Sequence, residues 1–148
     1  MKYIETMIIS IGKKINMIGG RVLRNAILTL TIMNIMFMFM HEFDACYQGE
    51  WKMFKFLRKL EEKKQYLIFI YFHIPLVLIY LYYFYVVLNF NNFYLWVVIN
   101  IISILHLLIH LVASRWSSNV FKSMHSFAFI GGAAVTGGLN LLLLNYYR

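Results

Sequence analysis

The chain is short of charge, of acids, of cysteine and of proline. Only 14% of its residues are charged, where a soluble domain of this size carries roughly a quarter. Six acids stand against fourteen lysines and arginines, giving a formal net charge of +8. An ordinary soluble domain is therefore excluded. The single cysteine, Cys46, excludes an internal disulfide framework and says little about redox compartment. The single proline, Pro75, falls inside an apolar stretch next to a histidine. A cleaved leader is not indicated by residues 1–25, because Lys13, Lys14, Arg21 and Arg24 interrupt the apolar run and no small-x-small site follows.

What is present is apolar surface: 61% of the 148 residues are hydrophobic and 18% aromatic. That composition indicates an integral membrane protein with one compact helical bundle and no second domain. The basic residues sit in the connections between apolar stretches. Such placement suits anionic lipid headgroups, and nucleic acid is excluded for want of a soluble basic face.

Four spans are expected, at about 26–47, 66–88, 93–113 and 124–144. Each approaches the roughly 20 apolar residues that cross a bilayer as helix. Helix is required there, because backbone groups in lipid must be satisfied within the segment. The fold class is thus all-α, a membrane four-helix bundle over 26–148. Residues 1–25 form a basic extension. In it Ile4, Met7, Ile8, Ile11, Ile15 and Ile18 recur at helical spacing, with Lys2, Glu5, Ser10 and Lys13 mostly off that stripe. A helix lying in the membrane interface and a frayed extension both fit. In the last span, Gly131 to Gly138 reads as a packing face of small residues rather than a phosphate loop.

The polar residues then become informative. His41-Glu42-Phe43-Asp44-Ala45-Cys46-Tyr47-Gln48-Gly49-Glu50-Trp51 holds one histidine and three of the six acids. His41 and Asp44 end span one, His73 begins span two, His106 and His110 end span three, and His125 begins span four. An up-down-up-down bundle brings all five histidines to one end. At 100° per residue, Asn34, His41, Asp44 and Gln48 share a face of span one. Asn100, Ser103, His106 and His110 share a face of span three. Such stripes must turn inward, since a polar group facing lipid costs several kcal/mol. Histidines at i and i+4 project side by side and can share a metal ion. The expected ligands are His41, Asp44, His73, His106 and His110. Zinc is the leading ion, and iron, manganese and nickel accept the same donors. Haem between two histidines is a lesser alternative. Glu42 and Glu50 are the expected catalytic carboxylates, moving protons or orienting imidazoles. His125, beside Ser123 and Ser126, is the expected bystander. Trp51 is expected to anchor at the interface. Pro75 is expected to free a carbonyl near His73 and kink the helix.

The motif His41-Glu42-x-Asp44-Ala45 with Glu50-Trp51 resembles a group of small prokaryotic four-span membrane proteins. So do Phe72-His73-Ile74-Pro75-Leu76, the ending His106-x-x-x-His110, the residues Phe121, Ser123 and Ser126, and the Gly/Ala-rich last helix. The group is similar to the set defined by an HXXEE motif, where this chain has His41-x-x-Asp44-Ala45. The resemblance spans roughly residues 30–145. It implies four membrane helices and histidines and acids that matter, without an established activity. A looser similarity, in the His-x-x-x-His element and an acid, is to larger membrane hydrolases that use zinc to cleave ceramide-type amides.

The expectation is a metal-dependent hydrolase or transferase acting on a lipid or membrane-embedded substrate in a prokaryotic cytoplasmic membrane. The alternative is a non-enzymatic membrane protein that binds a lipid or partner, with the histidines as a structural or pH-responsive network. Transport is disfavoured because the acids gather at one end. The expected contacts are membrane lipids, and a homo-oligomer or another membrane protein is compatible with the pattern. The two sides of the bundle carry six and eight basic residues, and the neutral turn at 89–92 favours placing the other side in the cytoplasm.

Overall fold

A computed structural model describes residues 2–89, 92–116, 120 and 123–147, the side chains of 2–8, 12–13, 15–16 and 147 excepted. The elements are α1 (Lys2–Gln48), a 3-10 turn (Glu50–Met53), α2 (Glu62–Leu88), α3 (Phe93–Ala113) and α4 (Met124–Tyr147). No strand occurs among the described residues. Four segments are long and apolar enough to cross a membrane: Met17–Gln48, Glu62–Leu88, Phe93–Ala113 and Met124–Tyr146. Many large apolar side chains, such as Phe43, Leu78 and Leu142, face outward. Such a surface would aggregate in water and is ordinary against lipid. The chain is an integral membrane four-helix bundle.

The first span begins earlier than the sequence suggests. α1 runs through Gly19, Gly20, Arg21 and Arg24 without a break, so residues 2–25 continue the spanning helix. Glycine lowers helix propensity by about 1 kcal/mol but leaves every backbone hydrogen bond available. Within the expected apolar stripe, Ile11 and Ile18 are exposed; the side chains of Lys2, Ile4, Glu5, Met7, Ile8, Lys13 and Ile15 lie outside the described residues, as do Phe121 and Lys122 altogether.

α4 is the centre of the bundle, with α1 and α3 packed closely along it. Small residues allow this. A Cβ placed on Gly132 would stand 2.9 Å from the Phe37 ring of α1, and one on Gly137 would stand 3.1 Å from the Asn100 carbonyl oxygen of α3. Ala133 is fully buried between them. Helices in lipid gain little from burying apolar area against one another, so close van der Waals approach carries the association.

Buried polar side chains set the register. Asn34 donates to the Ala133 carbonyl at 2.6 Å and to Thr136 Oγ1 at 3.3 Å. Ser103 donates to Asn34 Oδ1 at 3.1 Å. Asn140 donates to Thr31 Oγ1 at 2.9 Å. The group around Asn34 therefore ties α1, α3 and α4, and Asn140 adds a separate tie between α1 and α4. α2 packs less closely against the rest. Its polar ties include Asn100 donating to the Tyr83 hydroxyl at 3.1 Å, and the Glu42–His73 pair.

Gly137 and Gly138 give a paired test. Gly137→Ala should cost about 1–3 kcal/mol through overpacking against the α3 backbone. Gly138→Ala, with nothing within 4 Å of its Cβ, should be neutral to stabilising, by up to about 1 kcal/mol. Thermal unfolding in detergent measures both, and equal behaviour of the two variants would mean that α3 yields freely at this contact.

A three-histidine candidate metal site

α1 ends at Gly49, whose φ of 74° lies in the left-handed region that glycine adopts without strain. The reversal lets the 3-10 turn fold back over the helix end, burying Glu50, Trp51 and Met53. Trp51 packs edge-on against Tyr66, with ring centroids 5.0 Å apart, and near Phe69 at 5.8 Å. It joins Ala45, Leu57 and Phe69 in an apolar cluster, and so closes the end of the bundle instead of standing out as an interfacial anchor.

Beneath this cap lie three imidazoles. The His41 ring is 4.9 Å from His106 and 4.8 Å from His110, and those two are 4.7 Å apart. One ring nitrogen from each falls within 4.8 Å of the others. An ion bonded to three nitrogens at roughly 2.0–2.1 Å would need them about 3.4 Å apart, closer than that outer spacing. His106 Nε2 has no hydrogen-bond partner among the described residues. The i, i+4 spacing on α3 supplies two of the donors, and α1, running parallel to α3, supplies the third.

His73 and Asp44, expected in the same ligand set, are engaged elsewhere in this structure. His73 Nδ1 donates to the Phe69 carbonyl at 2.6 Å, and its Nε2 meets Glu42 Oε2 at 2.6 Å. Both ring nitrogens are thus in use. Pro75 removes the usual donor to the Tyr71 carbonyl, not to the carbonyl that His73 bonds, and α2 stays helical through it. Asp44 accepts from Ser126 Oγ through Oδ2, and from Gln48 Nε2 at 3.4 Å through Oδ1. It links α1 to the first turn of α4. His125 is exposed.

A cavity of about 490 Å³ opens beside the three histidines. His41, His106, His110, Glu42, His73 and Glu50 line one part of it, and aromatic and aliphatic side chains line the rest. Glu50 is buried, and its Oε1 has no hydrogen-bond partner among the described residues. Burial, reinforced by Glu42 and Asp44, pushes its carboxyl up from 4.5 to about 8. A second cavity of about 310 Å³ lies along α1 and α2, lined by Cys46, Tyr66 and Tyr80 among others. Glu42 and His73 line both cavities, so their hydrogen bond stands between them.

Two features of the site are not evident from the sequence. Ser126 as the partner of Asp44 needs the antiparallel register of α1 and α4. The aromatic wall from Phe54, Phe56, Phe69 and Phe72 is written in the sequence, but in a chain this rich in aromatics it does not stand out.

Residues 27–147 match DUF6713, a family of unknown function, and the chain belongs to that family. No curated protein and no solved structure matches the chain.

The raised Glu50 has a consequence for stability. Between about pH 4.5 and about pH 8 the folded protein keeps a proton on Glu50 that the unfolded chain has lost. Its contribution to stability therefore falls as pH rises through that window. Glu50→Gln removes this dependence. Relative to wild type, the variant should gain up to about 5 kcal/mol between about pH 5 and about pH 8.5. Unfolding in detergent across that range reads the difference; a constant offset would mean that Glu50 ionises as it does in water.

Proposed function

We propose that this member of DUF6713 binds one divalent metal ion, zinc foremost, through His41, His106 and His110, and hydrolyses a carbonyl bond in a membrane-embedded substrate. The observation that carries the reading is the convergence of three imidazoles from two helices on the wall of a cavity that also holds Glu42 and Glu50. Three protein ligands with a fourth position toward a cavity are the pattern of catalytic rather than structural zinc. Iron, manganese or nickel would accept the same donors. A bound ion supplies a Lewis acid and brings the pKa of a coordinated water to about 7.

The chain's own residues would do the rest. Glu42 takes a proton from the attacking water, and His73, fixed by the Phe69 carbonyl, holds that carboxylate in place. Glu50, protonated at neutral pH, gives a proton to the leaving alcohol or amine. The water oxygen bonds to the carbonyl carbon, and the C–O or C–N bond breaks. The products are an acid and an alcohol or amine. The reading places the basic connections on the cytoplasmic side of a prokaryotic membrane.

A second reading has its own observation. Glu42–His73 ties α1 to α2, and Asp44–Ser126 ties α1 to α4, both by direct side-chain hydrogen bonds. The histidines would then complete a polar network that fixes the bundle.

Elemental analysis of the purified protein separates the two. The metal reading expects about one ion per chain, lost in His106→Ala/His110→Ala and kept in His73→Ala. It also expects Glu42→Gln to keep the ion while hydrolysis falls about 10²–10⁴-fold. An intact bundle that takes up neither zinc nor iron leaves the structural network as the function of these residues.

A further inference from the structure

We propose that the cavity beside the histidines receives an acyl chain of an anionic membrane lipid, entering sideways between α2 and α3 with its headgroup at the basic segment 52–64. This deepens the metal-hydrolase reading by naming its substrate class, and the reaction, though not the binding, rests on that reading.

The first observation is where the cavity opens. Phe72 on α2 and Ile109 on α3 line it, yet they are 68% and 61% exposed. Both lie within spanning segments, so what they are exposed to is hydrocarbon. The opening therefore faces lipid, and a substrate crossing it needs an apolar portion. α2 is also the helix least closely packed against its neighbours, so the seam it borders is the one that parts most easily.

The second observation is how the cavity is divided. Its polar groups are concentrated on the histidines and the two glutamates. Aromatic and aliphatic side chains, among them Phe54, Phe56, Phe69, Phe72 and Ile109, form the remainder. A volume of about 490 Å³ lies within the roughly 300–1,000 Å³ typical of small-molecule sites. A polar end beside an apolar wall matches an amphiphile whose ester or amide joins a chain to a headgroup.

The third observation fixes the sign of that headgroup. The segment that lines the cavity with Phe54, Phe56 and Leu57 also carries Lys55, and Arg58 and Lys59 follow directly. Lys52 is paired with Glu62 at 2.6 Å and Lys64 with Glu61 at 3.3 Å. Lys55, Lys59 and Lys63 are exposed and form no ion pair among the described residues. Lysines beside the mouth of a lipid-facing cavity attract phosphate headgroups of the surrounding leaflet.

The test uses the full chain in phosphatidylcholine nanodiscs doped with phosphatidylglycerol whose acyl chain carries a photoactivatable diazirine. A phosphatidylcholine probe with the same chain is the comparison. Crosslinks to the anionic probe should concentrate on the peptides containing residues 54–57 and 69–76. They should exceed those to the neutral probe by about fivefold or more. Lys55→Gln/Lys59→Gln/Lys63→Gln, altering only exposed side chains, should bring the two probes to near equality. Ile109→Trp, which narrows the opening, should lower labelling at 69–76 while outward-facing Leu142 on α4 is labelled as before. Equal labelling by both probes overturns the anionic headgroup. Labelling spread evenly over the lipid-facing surfaces of all four helices overturns the cavity as the site. Repeating the labelling after chelator treatment separates this inference from the metal. Cavity labelling in a protein that binds no ion keeps the lipid site and removes the hydrolase; an ion without cavity labelling does the reverse.

Discussion

A polar group facing hydrocarbon costs several kcal/mol, and the rest of the structure follows from avoiding that cost. α1, α3 and α4 each carry a few polar residues among many apolar ones, and the helices rotate until those residues meet. The Asn34–Ser103 hydrogen bond is the pivot. His41 lies seven residues after Asn34, and His110 seven after Ser103. Seven residues are nearly two whole turns, so the two parallel helices stay on the same facing sides. Their register at Asn34 and Ser103 therefore places His41 against His110. The antiparallel pairing works the same way. Asp44 lies ten residues after Asn34, and Ser126 ten before Thr136, so the register that joins Asn34 to Thr136 also joins Asp44 to Ser126. The site is a consequence of packing geometry set two to three turns away.

α2 obeys the same constraint with fewer means. It has no small-residue stripe to let it approach closely, and His73 is its only titratable group apart from tyrosines beyond the first turn. That histidine finds Glu42, and Tyr83 finds Asn100. Between these points bulky apolar side chains leave space, and both cavities border this helix. Loose packing of α2 against the rest of the bundle leaves both of these cavities beside it. A bundle with four equally tight seams would bury the same histidines with no way in.

Much of this was legible in the sequence. Apolar runs of about 20 residues specify helices, and the up-down order alone brings the histidines to one end. Helical periodicity brings His41, His106 and His110 inward, and Gly131 to Gly138 reads as the face on which the other helices pack. Periodicity does not say which inward residue meets which. Asp44 shares the face of His41 closely enough to read as a ligand, but lies one turn further along, where α4 offers Ser126. Glu42 stands about 100° round α1 from His41, and only the placement of α2 brings His73 to it. His125 shows the same limit: it is at the correct end and on an outward face. The continuity of α1 through Gly19 and Gly20 was illegible for a different reason. Charges there resemble a boundary, while helix propagation needs only intact backbone donors, which glycine keeps and proline would not.

The distribution of charge bears on what the histidines can hold. Three neutral imidazoles bring no charge, so a divalent ion among them would bring two positive charges into a poorly solvated end of the bundle. Compensation has to come from carboxylates that are near without being ligands. Of the three acids in the motif, Asp44 is committed to Ser126 and Gln48. Glu42 and Glu50 face the same cavity as the imidazoles. A network built only to fix helix register gains nothing from a second buried acid, and Glu50, with one oxygen lacking a partner, is costly as such. The same carboxyl, protonated at neutral pH, is an asset beside a leaving group, where its proton is useful. The cost of burying Glu50 without a full set of partners is therefore easier to understand in a site that handles an ion and a proton than in one that merely holds helices together.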